Sequence, residues 1–364
     1  MHGKIALVTL ESALKTGARV DRILSEWQGT DTCAVPVTCP RFGTGEGKAI
    51  LRDSVRDRDV YILLDVCNPS LTYKMFGETN RMSPDDHYQD LKRVIAACNG
   101  KADRITVIMP FLYEGRQHRK VLRESLDCAV MLRELENMGV HSLITFDAHD
   151  PRLQNVAPLM PLENVSAALQ FTQSLLTQYE DLKVTGDGLI FVAPDEGATE
   201  RVVFLASLFG VGLGMFYKRR DYTVIVDGKN PVVAHDFCGG SVEGKDVIVI
   251  DDMIASGGSI LDTSRQLKSM GARRVFLFST FGLFTAGLDL FDRAYSQNVF
   301  NRIFTTNLIW QRPDLLEKEW YSSVNMERYI AALIDTMNRG ESLSQLTRPA
   351  DRIRRMLDLY SRRT

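Results

Sequence analysis

The segment richest in chemistry is residues 246–259, which reads DVIVIDDMIASGGS. An apolar run leads to two adjacent carboxylates, Asp251 and Asp252, and then to Ala255, Ser256, Gly257, Gly258 and Ser259. Residues 260–270 follow with helical periodicity, so the order is strand, loop, helix. A parallel strand delivers its last residues to the sheet edge where ligands bind. Two acids there can accept bonds from vicinal hydroxyls of a sugar, directly or through Mg²⁺. Small residues let backbone N–H groups approach a phosphate, and the helix N-terminus adds partial positive charge. A Gly-Gly pair alone would be an ordinary turn, but the full order points to a phosphorylated ribose.

Four other segments carry candidate groups. Residues 104–120, RITVIMPFLYEGRQHRK, place Arg116, Gln117, His118, Arg119 and Lys120 behind a strand. Such a cluster is a concentrated anion site, or else a solvated basic turn. Residues 146–150, FDAHD, put His149 after another strand, where by residue type alone it reads equally as a structural or an acid–base histidine. Residues 191–201, FVAPDEGATER, hold Asp195, which could simply cap a helix. Residues 217–220, YKRR, would be a surface charge run in isolation, but they lie between the Asp195 and Asp251 segments.

These groups need a scaffold, and the chain supplies an alternating one. Strands are expected at 5–10, 60–66, 105–109, 141–146, 189–192, 212–217, 247–250 and 274–280. Helices are expected at 14–27, 87–98, 121–138, 164–178, 200–209 and 260–270. Ala18, Ile23, Leu24 and Trp27 are the apolar candidates of the first helix, and Asn164 is a plausible N-cap of the fourth. Residues 223–226 read as a hairpin or loop, and the stretch after YKRR to Gly244 reads as flexible. The alternation implies an α/β protein with mostly parallel sheets flanked by helices. The expected division is 1–160, 161–345 and a basic helix or tail at 346–364, whose last 14 residues, DRIRRMLDLYSRRT, read as a solvated or subunit-packing helix, with a dedicated anion or partner site as the alternative.

Composition limits the function. The chain has 364 residues, 45% of them hydrophobic and 25% charged, with a net charge of −2. That balance argues against a nucleic-acid coat or a membrane-surface binder. No apolar run is long enough to span a bilayer, and the N-terminal stretch lacks a secretory pattern. Six scattered cysteines without a CxxC pair disfavour a metal knuckle or a disulfide framework, so a reducing cytoplasm is expected.

Taken together, the 246–259 segment resembles the phosphoribosyl pyrophosphate loop of the phosphoribosyltransferase-type fold. The other four segments resemble motifs of the ribose-phosphate pyrophosphokinase family, from about residue 40 to 348. Residues 42–46, FGTGE, resemble that family's FxDGE string, and 338–346, NRGESLSQL, its closing GESVSxL string. The resemblance implies two phosphoribosyltransferase-type domains and transfer of the diphosphoryl group of Mg-ATP to the anomeric hydroxyl of ribose 5-phosphate. It assigns Phe42, Glu46, Arg116 and Gln117 to ATP. Asp195, Asp251, Asp252 and the loop Ala255, Ser256, Gly257, Gly258 and Ser259 go to ribose 5-phosphate. His149, Asp195, Asp251 and Asp252 go to Mg²⁺, and Lys218 and Arg220 to charge on the transferring group. Phe42 and Glu46 reach a neighbouring subunit's ATP in the family, which implies a homo-oligomer with a dimer as its minimum and hexamers as the family's larger form. This chain departs from the pattern at Thr44, His118, Ala198 and Ala255, in an insertion at 72–86, and in its basic tail. Those departures keep open a different ribose-phosphate acceptor, a phosphoribosyltransferase that consumes the product, or a non-catalytic regulatory homologue.

Overall fold

The computed structural model describes residues 2–98, 100–120, 122–220 and 232–362, with the backbone alone described at 218–220 and 232–235. Two compact units emerge. The first comprises residues up to Ala167 with Asn307–Trp310 and Asn325–Arg348, and the second comprises Ala168–Thr306, Gln311–Val324 and the chain from Pro349 onward.

The first unit begins with β1 (Ile5–Thr9) and α1 (Leu14–Gln28), then β2 (Val37–Thr38), β3 (Ile50–Leu51) and β4 (Asp59–Leu63). A hairpin of β5 (Thr72–Met75) and β6 (Glu78–Arg81) leads to α2 (Pro84–Cys98), β7 (Arg104–Ile108), α3 (Asp127–Asn137), β8 (Ser142–Phe146) and β9 (Leu162–Val165). Five strands form one parallel sheet in the order β1-β4-β7-β8-β9. Every residue of β4 and β8 is buried, as parallel strands covered on both faces require. Val60, Ile62, Val107 and Leu143 pack against Leu91, Val94 and Ile95 of α2 and Met131, Leu132 and Leu135 of α3.

The second unit contains α4 (Ala168–Gln178), β10 (Leu189–Ala193), α5 (Thr199–Phe209), β11 (Gly212–Arg220), β12 (Val232–Gly239), β13 (Asp246–Ile254), α6 (Gly258–Ser269), β14 (Arg274–Gly282), α7 (Asp289–Ser296), β15 (Arg302–Thr306), α8 (Pro313–Leu316) and β16 (Tyr321–Val324). Its seven-stranded sheet has the order β12-β11-β10-β13-β14-β15-β16, parallel except for the edge strand β12. Helix α9 (Glu327–Asn338) then belongs to the first unit, with the short α10 (Ser344–Thr347), and α11 (Ala350–Ser361) belongs to the second. Among the described residues no helix is long and apolar enough to cross a membrane.

Several expected elements shift. Helix α3 begins at Asp127 rather than 121, and Val121 itself lies outside the described residues. Asn164 caps no helix: it sits in β9, and its Oδ1 accepts from the Ala148 N–H at 2.9 Å. In α1 the buried face is Gly17, Val20, Leu24 and Ser25, while Ala18 is exposed and Trp27 partly so. Gly17 is buried because α1 crosses β1 closely: a Cβ there would meet Thr9 Oγ1 at 2.3 Å. The 212–217 strand runs on to Arg220 and pairs with β12, so Lys218 and Arg220 stand on a strand of a hairpin. Residues 223–226 lie outside the described residues. Residues 325–348 group with the first unit rather than with the rest of 161–345, because α9 is tied to it. Arg19 Nη1 donates to Glu327 Oε1 at 2.7 Å, and Asn338 Nδ2 donates to Asp59 Oδ2 at 2.9 Å.

Candidate active site

In the second unit the two acids lie inside β13, not beyond it, because the strand pairs with β14 as far as Ile254 and Gly282. Consecutive strand residues face opposite ways. Accordingly Asp252 is buried while Asp251 keeps part of its surface open. The Asp252 N–H donates to Asp251 Oδ1 at 2.8 Å. Burial pushes the Asp251 carboxyl well above the usual range, and the charges of Asp252 and Asp195 push the same way. Asp195 follows β10, where its Oδ1 accepts from the Gly197 N–H at 3.1 Å. The structure thus brings Asp195, Asp251 and Asp252 into one electrostatic group.

The loop after β13 is shaped by what lies under it. Gly257 has φ +89° and is buried. A Cβ there would lie 2.0 Å from Phe291 Cζ, so glycine is demanded by both conformation and space. Phe291, fully buried on α7, meets the Phe284 ring edge-on at 4.9 Å and stacks on Trp320 at 5.8 Å. Segment 283–285 fastens the loop by backbone bonds: Leu283 N donates to Ile254 O at 2.9 Å, and Thr285 N to Ala255 O at 3.0 Å. Helix α6 starts at Gly258, and Ser256 and Ser259 are exposed at its mouth. Such a floor holds backbone donors in place for a phosphate. Phe284, Phe291 and Trp320 were not foreseen, since nothing in their local sequence relates them to a loop so far back along the chain.

Lys218 and Arg220 lie on β11, with Lys218 opposite His235 of β12. Their side chains, and residues 221–231, lie outside the described residues.

In the first unit the candidate groups leave β7 and β8. Pro110 O is clamped by the Phe146 N–H at 3.1 Å and Thr145 Oγ1 at 3.0 Å. Tyr113 stacks on Tyr88 at 4.5 Å and donates to Asp85 at 2.6 Å. Arg116 is exposed, and the Gln117 amide donates to Ser125 O at 3.1 Å. His118 is more than a departure from a pattern. Its Nδ1–H donates to Arg116 O at 3.1 Å, its Nε2 lies 3.5 Å from Asp150 Oδ2, and its ring is 5.2 Å from that of His149. Asp150 is held at about 2, first by its bonds from Arg152 and also by His118. His149 is exposed. Phe42 and Glu46 are exposed on a tight loop closed by the Phe42 N–H to Glu46 O at 2.7 Å. Thr44 Oγ1 donates to Glu46 Oε2 at 2.9 Å.

Comparison with known proteins decides the family. A family model described as the N-terminal domain of ribose phosphate pyrophosphokinase matches residues 5–139, and the phosphoribosyl transferase domain model matches 167–318. The chain belongs to the ribose-phosphate pyrophosphokinase family. Relatives named ribose-phosphate pyrophosphokinase include one from Vibrio parahaemolyticus, 27% identical over 84% of this chain and 89% of its own length. Another, from Ralstonia nicotianae, is 26% identical over 84% of this chain and 88% of its own. The crystal structure of phosphoribosylpyrophosphate synthetase from Mycobacterium smegmatis shares the fold, with TM-score 0.74 and 22% identity over 93% of this chain and 99% of its own.

Proposed function

We propose that this chain transfers the β,γ-diphosphoryl group of Mg-ATP to the anomeric hydroxyl of ribose 5-phosphate, giving phosphoribosyl pyrophosphate and AMP. The observation that carries the reading is the β13–loop–α6 element, with its carboxylate group and propped Gly257, in a chain matched along most of its length by this family. The anomeric oxygen attacks the β-phosphorus, the bond to the α,β-bridging oxygen breaks, AMP leaves, and the hydroxyl proton is lost. The protein's part is positioning and charge stabilisation, as in phosphoryl transfer generally.

Backbone N–H groups of Ala255, Ser256, Gly257, Gly258 and Ser259 hold the 5-phosphate. Asp251 and Asp252 take the ribose hydroxyls. Lys218 and Arg220 neutralise charge on the transferring group. On the first unit, Arg116 and Gln117 bind ATP, with His149 assigned beside its cation. Among the described residues no three side chains form a ready-made metal group. The crowding of Asp195 and Asp252 on the partly open Asp251 nevertheless fits a divalent cation that takes its other ligands from substrate and water. When bound, Mg²⁺ supplies neutralisation of phosphate charge. Exposed Phe42 and Glu46 support a homo-oligomer in which this loop meets another subunit, in a cytoplasmic enzyme.

The test is AMP release from Mg-ATP with and without ribose 5-phosphate. AMP formed only with the sugar, with phosphoribosyl pyrophosphate in equal amount, is expected. Folded protein that releases no AMP overturns the reading. AMP formed only with another phosphorylated riboside would move the acceptor, the second reading that the departures at Thr44, His118, Ala198 and Ala255 and in the insertion at 72–86 keep open.

A further inference from the structure

A separate cavity of about 520 Å³ opens in the first unit, among the segments leaving the carboxyl ends of β1 and β4. The β5–β6 hairpin helps to wall it. That hairpin lies in the insertion that sets this chain apart from the pyrophosphokinase pattern. It is turned by Phe76 and Gly77, with φ +49° and +84°, and seated by the Phe76 N–H on Gly43 O at 2.8 Å. The chain therefore builds a chamber with residues that the proposed reaction does not use.

The lining shows what would fit. His87 is 2% exposed and reaches the cavity from α2. Its Nε2 lies 2.8 Å from Asn68 O, and a carbonyl can only accept, so Nε2 carries the proton. Nδ1 is then a lone-pair acceptor, and among the described residues no donor pairs with it. Burial lowers the His87 pKa, which keeps the ring neutral and Nδ1 an acceptor. An occupant must therefore offer an N–H or O–H.

Charge excludes other occupants. Arg41 and Asp90 on the wall already satisfy each other, at 2.5 and 2.9 Å, and Arg93 adds a third bond to Asp90 at 2.8 Å. Arg41 also covers the Tyr73 ring at 5.4 Å. The remaining charges, Glu11 and Lys74, are exposed at the rim and opposite in sign. A phosphate or a zwitterion would be desolvated without a free countercharge beside His87. Leu10, Val37, Leu71 and Met82 give apolar walls that suit the faces of a flat ring, and Ser12, Thr38 and Thr72 add uncharged hydroxyls beside them. We propose that this cavity binds an unphosphorylated nucleobase or nucleoside, whose base N–H donates to His87 Nδ1.

The experiment is calorimetric titration of the full chain with adenosine, guanosine, cytidine, uridine and the free bases. A non-hydrolysable ATP analogue is present throughout to occupy any ATP site. One probe is expected to bind once per chain, with its 5′-monophosphate at least roughly tenfold weaker, as a desolvated charge without a partner requires. A base that binds like its nucleoside means the base alone is recognised, and a nucleoside that binds where its base does not adds the sugar. Thr38→Trp, at an exposed rim position, should abolish binding by filling the cavity. His87→Phe should weaken it roughly five- to tenfold through loss of one hydrogen bond, with folding checked by thermal melting. Binding untouched by Thr38→Trp, a monophosphate that binds as tightly, or no binding by any probe to folded protein each overturns the proposal.

Discussion

The loop after β13 in the second unit and the loop after β7 in the first leave equivalent ends of parallel strands, yet they are built on different principles. The β13 loop is defined by backbone: a left-handed Gly257 lies against Phe291, and strand-like bonds run from 283–285. The β7 loop is defined by side chains: Tyr113 stacks on Tyr88, Gln117 reaches Ser125 O, and His118 sits between Arg116 O and Asp150. A backbone cradle tolerates changes of side chain, since its donors are main-chain N–H groups. A loop anchored by side chains can be retuned one anchor at a time.

The largest effect tests what neither loop supplies. Lys218→Ala should lower kcat by roughly a hundred- to a thousandfold, the scale of removing one transition-state charge partner, while ATP binding stays measurable by titration. Near-normal turnover would sink the assignment of β11. Next, Gly257→Ala should lower kcat/KM for ribose 5-phosphate by roughly a hundredfold, the scale of an ångström-level misplacement. Adding Phe291→Leu should restore only part of this, because space returns but the positive φ remains. Full restoration would show that sterics alone shape the cradle. Tyr113→Leu should raise KM for ATP by roughly three- to tenfold, the worth of one aromatic pair, with kcat nearly unchanged. A fall in kcat instead would mean that the β7 loop is as rigidly required as the β13 loop.

The smallest effect concerns a buried acid held by backbone. Asp65, past the end of β4, accepts from the Cys67 N–H at 2.8 Å and the Trp310 N–H at 2.6 Å. Burial nevertheless raises its carboxyl to about 7. A folded-state value above the unfolded one means that the folded chain holds the extra proton. The stability this contributes is complete below about 4 and is lost as pH rises through about 7. Thermal melting from pH 5 to 8 should therefore show a fall that Asp65→Asn flattens. An unchanged slope in the variant would assign the fall to other groups.

Much of the scaffold was legible in the pattern of residue types along the chain. Apolar runs bounded by helical stretches located β1, β4, β7, β8, β10, β13 and β14 to within a few residues, because strands buried on both faces read as continuous apolar segments. Boundaries failed where context overrode local pattern. The strand carrying Asp251 and Asp252 continued because β14 was there to pair with it, and Asn164 joined β9 because β8 offered an edge. Residues 281–337 gave no reading at all, although they hold Phe284, Phe291 and Trp320.

By itself the sequence determined the α/β alternation, the family, and the order of acids, small residues and helix that makes a phosphate cradle, since each depends on neighbours along the chain. Tertiary structure alone decided what depends on neighbours in space. It put Phe291 under Gly257, gathered Asp195 with Asp251 and Asp252, set His118 beside Asp150, and left His87 Nδ1 facing a chamber without a partner among the described residues. Sequence spacing carries no record of such contacts, because packing between distant elements follows from the shape and charge of the whole unit.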